Sequence, residues 1–267
     1  MRHSDPDLSG PRAKTMLYRR FAAGILGVGF SITVWQLLSA IIGSSLIFPG
    51  PAEVVGSMRI LFVASSFWKA VIGSMERVLL SFILSIGIGT LTGIASGLNP
   101  WIRDSLAPMI TTIRATPVLA LILIAMFWLP STGVPIFSAF LMAYPIMHTS
   151  AYTGVVMADK ELLEMASVFK VPSNVKFFKL RLPAARGHFL AGAKNALGLC
   201  WKVVVAGEVL SQPRFGLGTG LQDARLSLET SRVLAWAIAT VFLCGISEFA
   251  LGILAKKESD SREGAPN

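Results

Sequence analysis

VIGSMERVLLSFILSIGIGTLTGIASGL, residues Val71–Leu98, decides the fold. It carries Glu76 and Arg77 near its start and no charge from Val78 to Leu98. A helix needs about 20 apolar residues to cross hydrocarbon, because every backbone amide must find its partner within the segment. Ser81, Ser85, Gly89, Gly93 and Gly97 recur at every fourth position, a step that keeps them on one helical face. Gly89-Thr-Leu-Thr-Gly93 and Gly93-Ile-Ala-Ser-Gly97 are small-xxx-small units, which let helix backbones approach closely in lipid. The stretch reads as a membrane span with a packing face at Gly89, Gly93 and Gly97. Asn99-Pro100 ends it.

Similar runs lie on either side. Phe21–Ile42 is free of charge, and the Phe48-Pro49-Gly50-Pro51 turn cluster follows it. Leu106–Leu129 is apolar but interrupted by Pro108, Arg114 and Pro117, so a kinked or broken third span is expected. Val134–Val156, about Phe189–Leu210 and Val233–Ala255 complete the set. The expectation is an all-α polytopic membrane protein with about six transmembrane helices. Its membrane part is residues 21–255, between an N-terminal tail (1–20) and a disordered polar C-terminal tail (256–267). Residues 43–70 and 211–232 are expected as loops, and the N-terminal stretch as a retained first span, not a cleaved signal.

Composition agrees with this picture. Hydrophobic residues make up 53% and charged residues 15%, against roughly 25% charged in a soluble domain that must wet its surface. The net charge of +9 does not point to nucleic acid, since Arg and Lys fall between apolar runs without aromatic interleaving. Cys200 and Cys244 lie inside apolar runs and read as small buried hydrophobes. Of the 24 basic residues, 17 fall on the N-terminal tail, 99–114, 157–194 and the C-terminal tail. Five fall on 43–70, 129–134 and 211–232. The positive-inside rule then puts both termini and residues 157–187 in the cytoplasm, against an anionic lipid leaflet.

Polar residues inside spans are expensive and need a reason. Arg77 is expected to pair structurally, with Glu76 or Glu208. Lys202 and Glu208 are six apart, too far round the helix for a direct pair, so each should face another helix or a water-filled path. Arg114, beside the broken span, closes the inner end or neutralises a carboxylate. Arg77, Arg114, Lys202 and Glu208 are thus the candidates for a translocation path. His148, with Tyr144 and Pro145, reads as a hydrogen-bonded kink; His3 and His188 lie outside the spans, and no metal or cofactor is expected.

Residues 157–187 say most about function. Glu161–Phe169 has helical periodicity, with Leu162, Met165, Ala166 and Phe169 on one side. Pro172 should close that helix, and Ser173 or Asn174 can cap a second one running through Phe177 and Phe178 toward Leu182-Pro183. A loop that only joined two spans would not need two amphipathic helices. An apolar helix face outside the bilayer awaits a partner protein.

This segment reads Glu164-Met165-Ala166, three residues, Lys170, nine residues, Leu180-Arg181-Leu182-Pro183. It resembles the Glu-Ala-Ala loop of bacterial ATP-binding-cassette importer permeases, Glu-Ala-Ala-x3-Gly-x9-Ile-x-Leu-Pro. Lys170 departs from the usual glycine, so the turn is expected at Val171-Pro172. Phe48-Pro49-Gly50-Pro51, Ser74-Met75-Glu76-Arg77-Val78, Arg114-Ala115-Thr116-Pro117, Trp201-Lys202, Glu208 and Gly216-Leu217-Gly218 resemble, in order, motifs of the nitrate, sulfonate and taurine branch. The resemblance implies a type I importer permease in the bacterial inner membrane, not an enzyme, with two copies forming the pore. It also implies cytoplasmic ATPase subunits docked on Leu162, Glu164, Met165, Ala166, Phe169, Lys170, Leu182 and Pro183, and an external binding protein delivering the solute. No Gly-Lys dipeptide occurs, so no phosphate-binding loop is present and ATP hydrolysis must come from a partner. An ATP-independent channel or secondary carrier is the alternative, and it leaves the cytoplasmic helices unexplained.

Overall fold

A computed structural model describes the backbone of residues 11–263, with side chains from Ala22 to Ile253. Among the described residues there are helices and no strands. In chain order they are α1 (Pro11–Ile42), α2 (Pro51–Val63), α3 (Ser65–Leu98), α4 (Pro100–Ala115), α5 (Val118–Ala125) and α6 (Gly133–Val156). Then come α7 (Lys160–Val168), α8 (Ser173–Lys176), a π-helical turn (Phe177–Arg181), α9 (Leu182–Ser211), α10 (Leu217–Leu226) and α11 (Thr230–Glu263). Five helices are long and apolar enough to cross a membrane: the Ala22–Ile42 part of α1, α3, α6, the rod from Ser173 to Ser211, and the Thr230–Ile253 part of α11. The sixth crossing is broken, with α4 and α5 meeting at 98°. Pro117 causes the break: its ring pushes Thr116 to extended backbone (ψ 126°). Pro108, inside α4, does not interrupt it.

The core is a packed trio of α3, α6 and α9. A β-carbon added to Gly89 would sit 2.6 Å from Met147 Cβ, and one on Gly97 2.9 Å from Val155 Cγ1. One on Gly93 would collide with the carbonyl oxygen of His148 and lie 2.8 Å from Ala151 Cβ. Increasing numbers on α3 meet increasing numbers on α6, so these two helices run parallel. Gly154 lies against Ala185, Gly192 against Ser150 and Gly207 against Pro135, so α9 runs antiparallel to α6. The chain leaves α3 at one membrane face and enters α6 at the other, and α4 with α5 must carry it across. Two polar contacts close the far face: Thr230 Oγ1 donates to the Leu46 carbonyl, and Ser57 pairs with Ser231 at 3.0 Å. Alternation then puts α7, the start of α1 and the end of α11 together on the opposite face.

Several expectations need correction. The segments 43–70 and 211–232 are not plain loops, because they hold α2 and α10. Pro51 opens α2 at its first position, where the missing N–H has no intrahelical partner anyway, and Gly216 precedes α10. The tails differ as well. Residues 1–10 and 264–267 lie outside the described residues, but α1 already begins at Pro11 and α11 continues to Glu263. No proline or glycine interrupts residues 13–20 or 253–263 except before the former, and charged Lys, Glu and Arg are good helix formers.

Two glycines of α3 make a test. Gly93 has no room for a methyl group, whereas nothing lies within 4 Å of a β-carbon on Gly87. Gly93→Ala should destabilise by about 1–3 kcal/mol through overpacking, while Gly87→Ala should be neutral or stabilise by up to about 1 kcal/mol through helix propensity. Detergent-based unfolding of the two variants should separate them in that direction.

Candidate functional site

The α7 segment is built by its two ends. The Asp159 carboxylate caps the N-terminus, accepting from the amides of Glu161 (2.9 Å) and Leu162 (3.4 Å). At the C-terminus the Lys170 amide donates to Ser167 O (3.0 Å) and the Val171 amide to Ala166 O (2.9 Å). That pair of bonds is a Schellman cap, which puts its turning residue in the left-handed region. The residue is Lys170, with φ 54°. The turn therefore falls at Lys170 and not at Val171-Pro172, and the helix has closed before Pro172. The importer pattern has glycine at this position, and glycine alone adopts this backbone without a β-carbon penalty.

Beyond the turn, the expected second helix is not a separate element. Residues Ser173–Ser211 form one rod through α8, the π turn and α9. Pro183, at the start of α9, lacks an N–H, and the widened turn before it absorbs the defect: the Leu182 amide donates to Phe177 O, five residues back. The segment 157–187 thus contains one free-standing helix and the base of a span.

α7 and this base enclose an apolar groove of about 280 Å³, lined among others by Leu162, Met165, Ala166 and Phe169. Ala166 is buried at its floor, while Leu162 and Met165 are exposed and Phe169 is 75% exposed. Helical spacing points Glu164 away from the groove, and it is exposed. Leu182 and Pro183 do not join this groove. They line a separate cavity of about 430 Å³ with Thr90, Ile94, Ala151 and Val155.

Within the membrane, the structure brings together two of the four singled-out charges. Arg77 Nη1 donates to Glu208 Oε1 at 2.6 Å, and Arg77 Nη2 donates to the Phe215 carbonyl at 2.8 Å. Glu208 also accepts from Ser74 Oγ (2.8 Å) and the Gly218 amide (2.9 Å), and Ser74 Oγ accepts from the Leu217 amide (2.8 Å). Arg77 is 8% exposed and Glu208 fully buried, so they face each other and not an open path. Gly216 and Gly218 fit the start of α10 around the carboxylate; a β-carbon on Gly216 would lie 2.8 Å from Glu208 Cδ. Carboxylate at a helix N-terminus is also the favourable sign for the helix dipole. Glu76, the other partner considered, is exposed.

Arg114, at the end of α4 beside the break in span three, binds α6, donating to the Pro145 carbonyl (3.2 Å) and to Thr149 Oγ1. His148 Nδ1 lies 3.1 Å from Thr92 Oγ1. Among the described residues no group of three His, Cys, Asp or Glu is placed to hold a metal. Lys202 is exposed. Sequence reasoning missed Glu248, half-buried in α11 and accepting from Cys244 Sγ at 3.5 Å. Its signal was a lone acid within an apolar run.

Residues 85–260, which hold the end of α3, all of α6 and α9, and α7 with its groove, match the family of binding-protein-dependent transport system inner membrane components. The chain belongs to that family. It is the multi-pass, inner-membrane permease subunit of an ATP-binding-cassette importer, a pore component and not an enzyme, and its ATPase and solute-binding protein are separate partners. It resembles the putative aliphatic sulfonates transport permease protein SsuC of Bacillus subtilis (strain 168), with 25% identity covering 88% of this chain and 85% of the relative. The taurine transport system permease protein TauC of Escherichia coli (strain K12) is 26% identical, covering 90% of each chain. These relatives place it in the nitrate, sulfonate and taurine branch of permeases. Among solved structures, a chain of the inward-facing MetNI methionine ABC transporter superposes with a TM-score of 0.63 at 14% identity, covering 72% of this permease and 95% of that chain. A chain of a bacterial ABC transporter involved in import of the acidic polysaccharide alginate gives 0.58 at 14% identity, covering 94% and 99%. The shared fold is that of type I importer permeases.

Lys170→Gly should stabilise the α7 cap by about 1 kcal/mol, the left-handed penalty less the entropy of glycine, and slow hydrogen exchange of the Val171 amide. Arg77→Met and Glu208→Gln should each cost about 3–5 kcal/mol by leaving a buried partner uncompensated. The double variant should cost less than the sum by at least about 1 kcal/mol, read by SDS unfolding in mixed micelles.

Proposed function

We propose that this permease couples to its ATPase through the α7 groove and moves a small oxyanion-bearing solute of the sulfonate, taurine or nitrate kind. The observation that carries the coupling reading is the exposed apolar groove of Leu162, Met165 and Phe169, floored by Ala166. It lies on the membrane face that holds most of the basic residues, which the positive-inside rule makes cytoplasmic. Both termini lie on that face, and α2 and α10 are presented to the binding protein outside. Two copies of the chain enclose the path, and Glu164 and Lys170 flank the docked ATPase while Leu182 and Pro183 line the cavity behind it. Closure of the ATPase pair moves the docked α7, and the spans pass between outward- and inward-facing states. The solute class is supported by the named cargoes of the relatives, which include aliphatic sulfonates, taurine, nitrate and bicarbonate.

An apolar groove that receives a partner is damaged most by burying a charge in it. Ala166→Asp should therefore release the ATPase while the membrane part remains monodisperse. Glu164→Ala should weaken coupling by about 1.5–3 kcal/mol, the range for a charge-assisted bond, lowering uptake more than ATPase retention. Pull-down of the ATPase and vesicle uptake measure both. Full retention and uptake with Ala166→Asp would place docking elsewhere.

A further inference from the structure

α9 and α11 exchange charged side chains across their interface. Glu248 of α11 lies on Gly198 of α9, where a β-carbon would collide with Glu248 Oε1. Lys194 of α9 lies on Gly252 of α11, where a β-carbon would sit 3.0 Å from Lys194 Nζ. Each helix thus contributes a charge and, four residues away, a glycine that makes room for the other's charge. Further along α9, Lys202 stands one turn beyond Gly198 on the same face, which in this antiparallel pair is level with Cys244, the residue that donates to Glu248. Lys194, Asn195 and Lys202 are all exposed, and Asn195 and Lys202 share a helical face, since seven residues bring the helix nearly full circle.

An exposed lysine deep in this span cannot lie against hydrocarbon. Lys202 is about 14 Å along the helix from Ser211, farther than a lysine stem snorkels. Nor does a dry protein seal suit the seam. It holds two positive charges and one negative, and burying the surplus charge against protein is costly without a partner. A water-filled wall that receives a mobile anion satisfies both constraints.

We infer that the Lys194–Glu248–Lys202 seam is part of the wall of the translocation path and selects for anions, with Glu248 as the resident counter-charge that a passing anion displaces. The inference rests on the permease reading above and deepens it by assigning the charge-selecting residues. Gly198 and Gly252 are positioning residues that hold the two charges in the seam.

The test uses the full transporter, with its ATPase and binding protein, in nanodiscs and in a Cys200→Ala/Cys244→Ser background. The probes are an anionic and a cationic methanethiosulfonate reagent, which need no knowledge of the solute. Asn195→Cys should react with both, whereas Phe249→Cys, on the exposed apolar face of α11, should react with neither. The anionic-to-cationic rate ratio at Asn195→Cys should exceed that of a free thiol in water. Lys202→Gln should lower it and Glu248→Gln raise it, each roughly fourfold, since a unit charge about 10 Å away in water changes each rate about twofold and in opposite senses for the two reagents. Lys202→Arg, which keeps the charge, should leave the ratio in place and serves where a charge-removing variant fails to assemble. An unreactive Asn195→Cys, or a ratio indifferent to these charges, would overturn the inference. Full ATPase retention and uptake with Ala166→Asp, beside an intact labelling pattern, would count against the coupling reading and leave the seam standing.

Discussion

Close backbone contact among α3, α6 and α9 is the constraint on which the rest of the structure depends. Lipid tails are as apolar as leucine, so helices in a bilayer are not driven together by water and must gain from intimate packing. Glycine and serine at Gly89, Gly93, Gly97, Ser150, Gly154, Gly192 and Gly207 let the three axes approach. Once they do, parallel α3 and α6 with antiparallel α9 leave one route for the chain, and the broken α4–α5 segment becomes an obligatory crossing. Just before the break, Arg114 ties the end of α4 to α6 through the Pro145 carbonyl and Thr149.

The Arg77–Glu208 clasp builds on that trio. It would be a poor source of stability in isolation, since dehydrating two ions costs about as much as their attraction returns. Its effect is registration. Arg77 belongs to α3 and Glu208 to α9, and the start of α10 is bound by both: Arg77 holds Phe215, Glu208 holds Gly218, and Ser74 of α3 holds Leu217. Three elements from distant parts of the sequence are thereby fixed at one membrane face, and α10 is seated over the ends of two spans.

The spans were legible because crossing hydrocarbon imposes length and apolarity that no neighbour can supply. The packing face of α3 was legible for a related reason, as a four-residue step survives in sequence whatever the helix touches. α2 and α10 were not, because short helices on the polar faces owe their existence to proline and glycine at their starts and to tertiary seats such as Glu208. The α7 face could be read from periodicity, but its junction with α9 could not. Proline at 183 ordinarily marks a boundary, and only the compensating π turn lets the rod run through it. Lys170 misled for the opposite reason: a lysine gives no hint of left-handed backbone, and the Schellman bonds around it are formed by main chain alone. Glu248 was passed over because its place depends on a glycine in another helix.

The continuity of the rod from Ser173 to Ser211 makes it a lever. At 39 residues it is about 58 Å long, and it begins beside the α7 groove and ends at the Glu208 clasp. A tilt of about 5° at its base sweeps its far end through about 5 Å, nearly the width of a water-filled passage for a small anion. The π turn and Pro183 sit near the fulcrum, so the compliant point lies at the driven end and the long arm above it stays stiff.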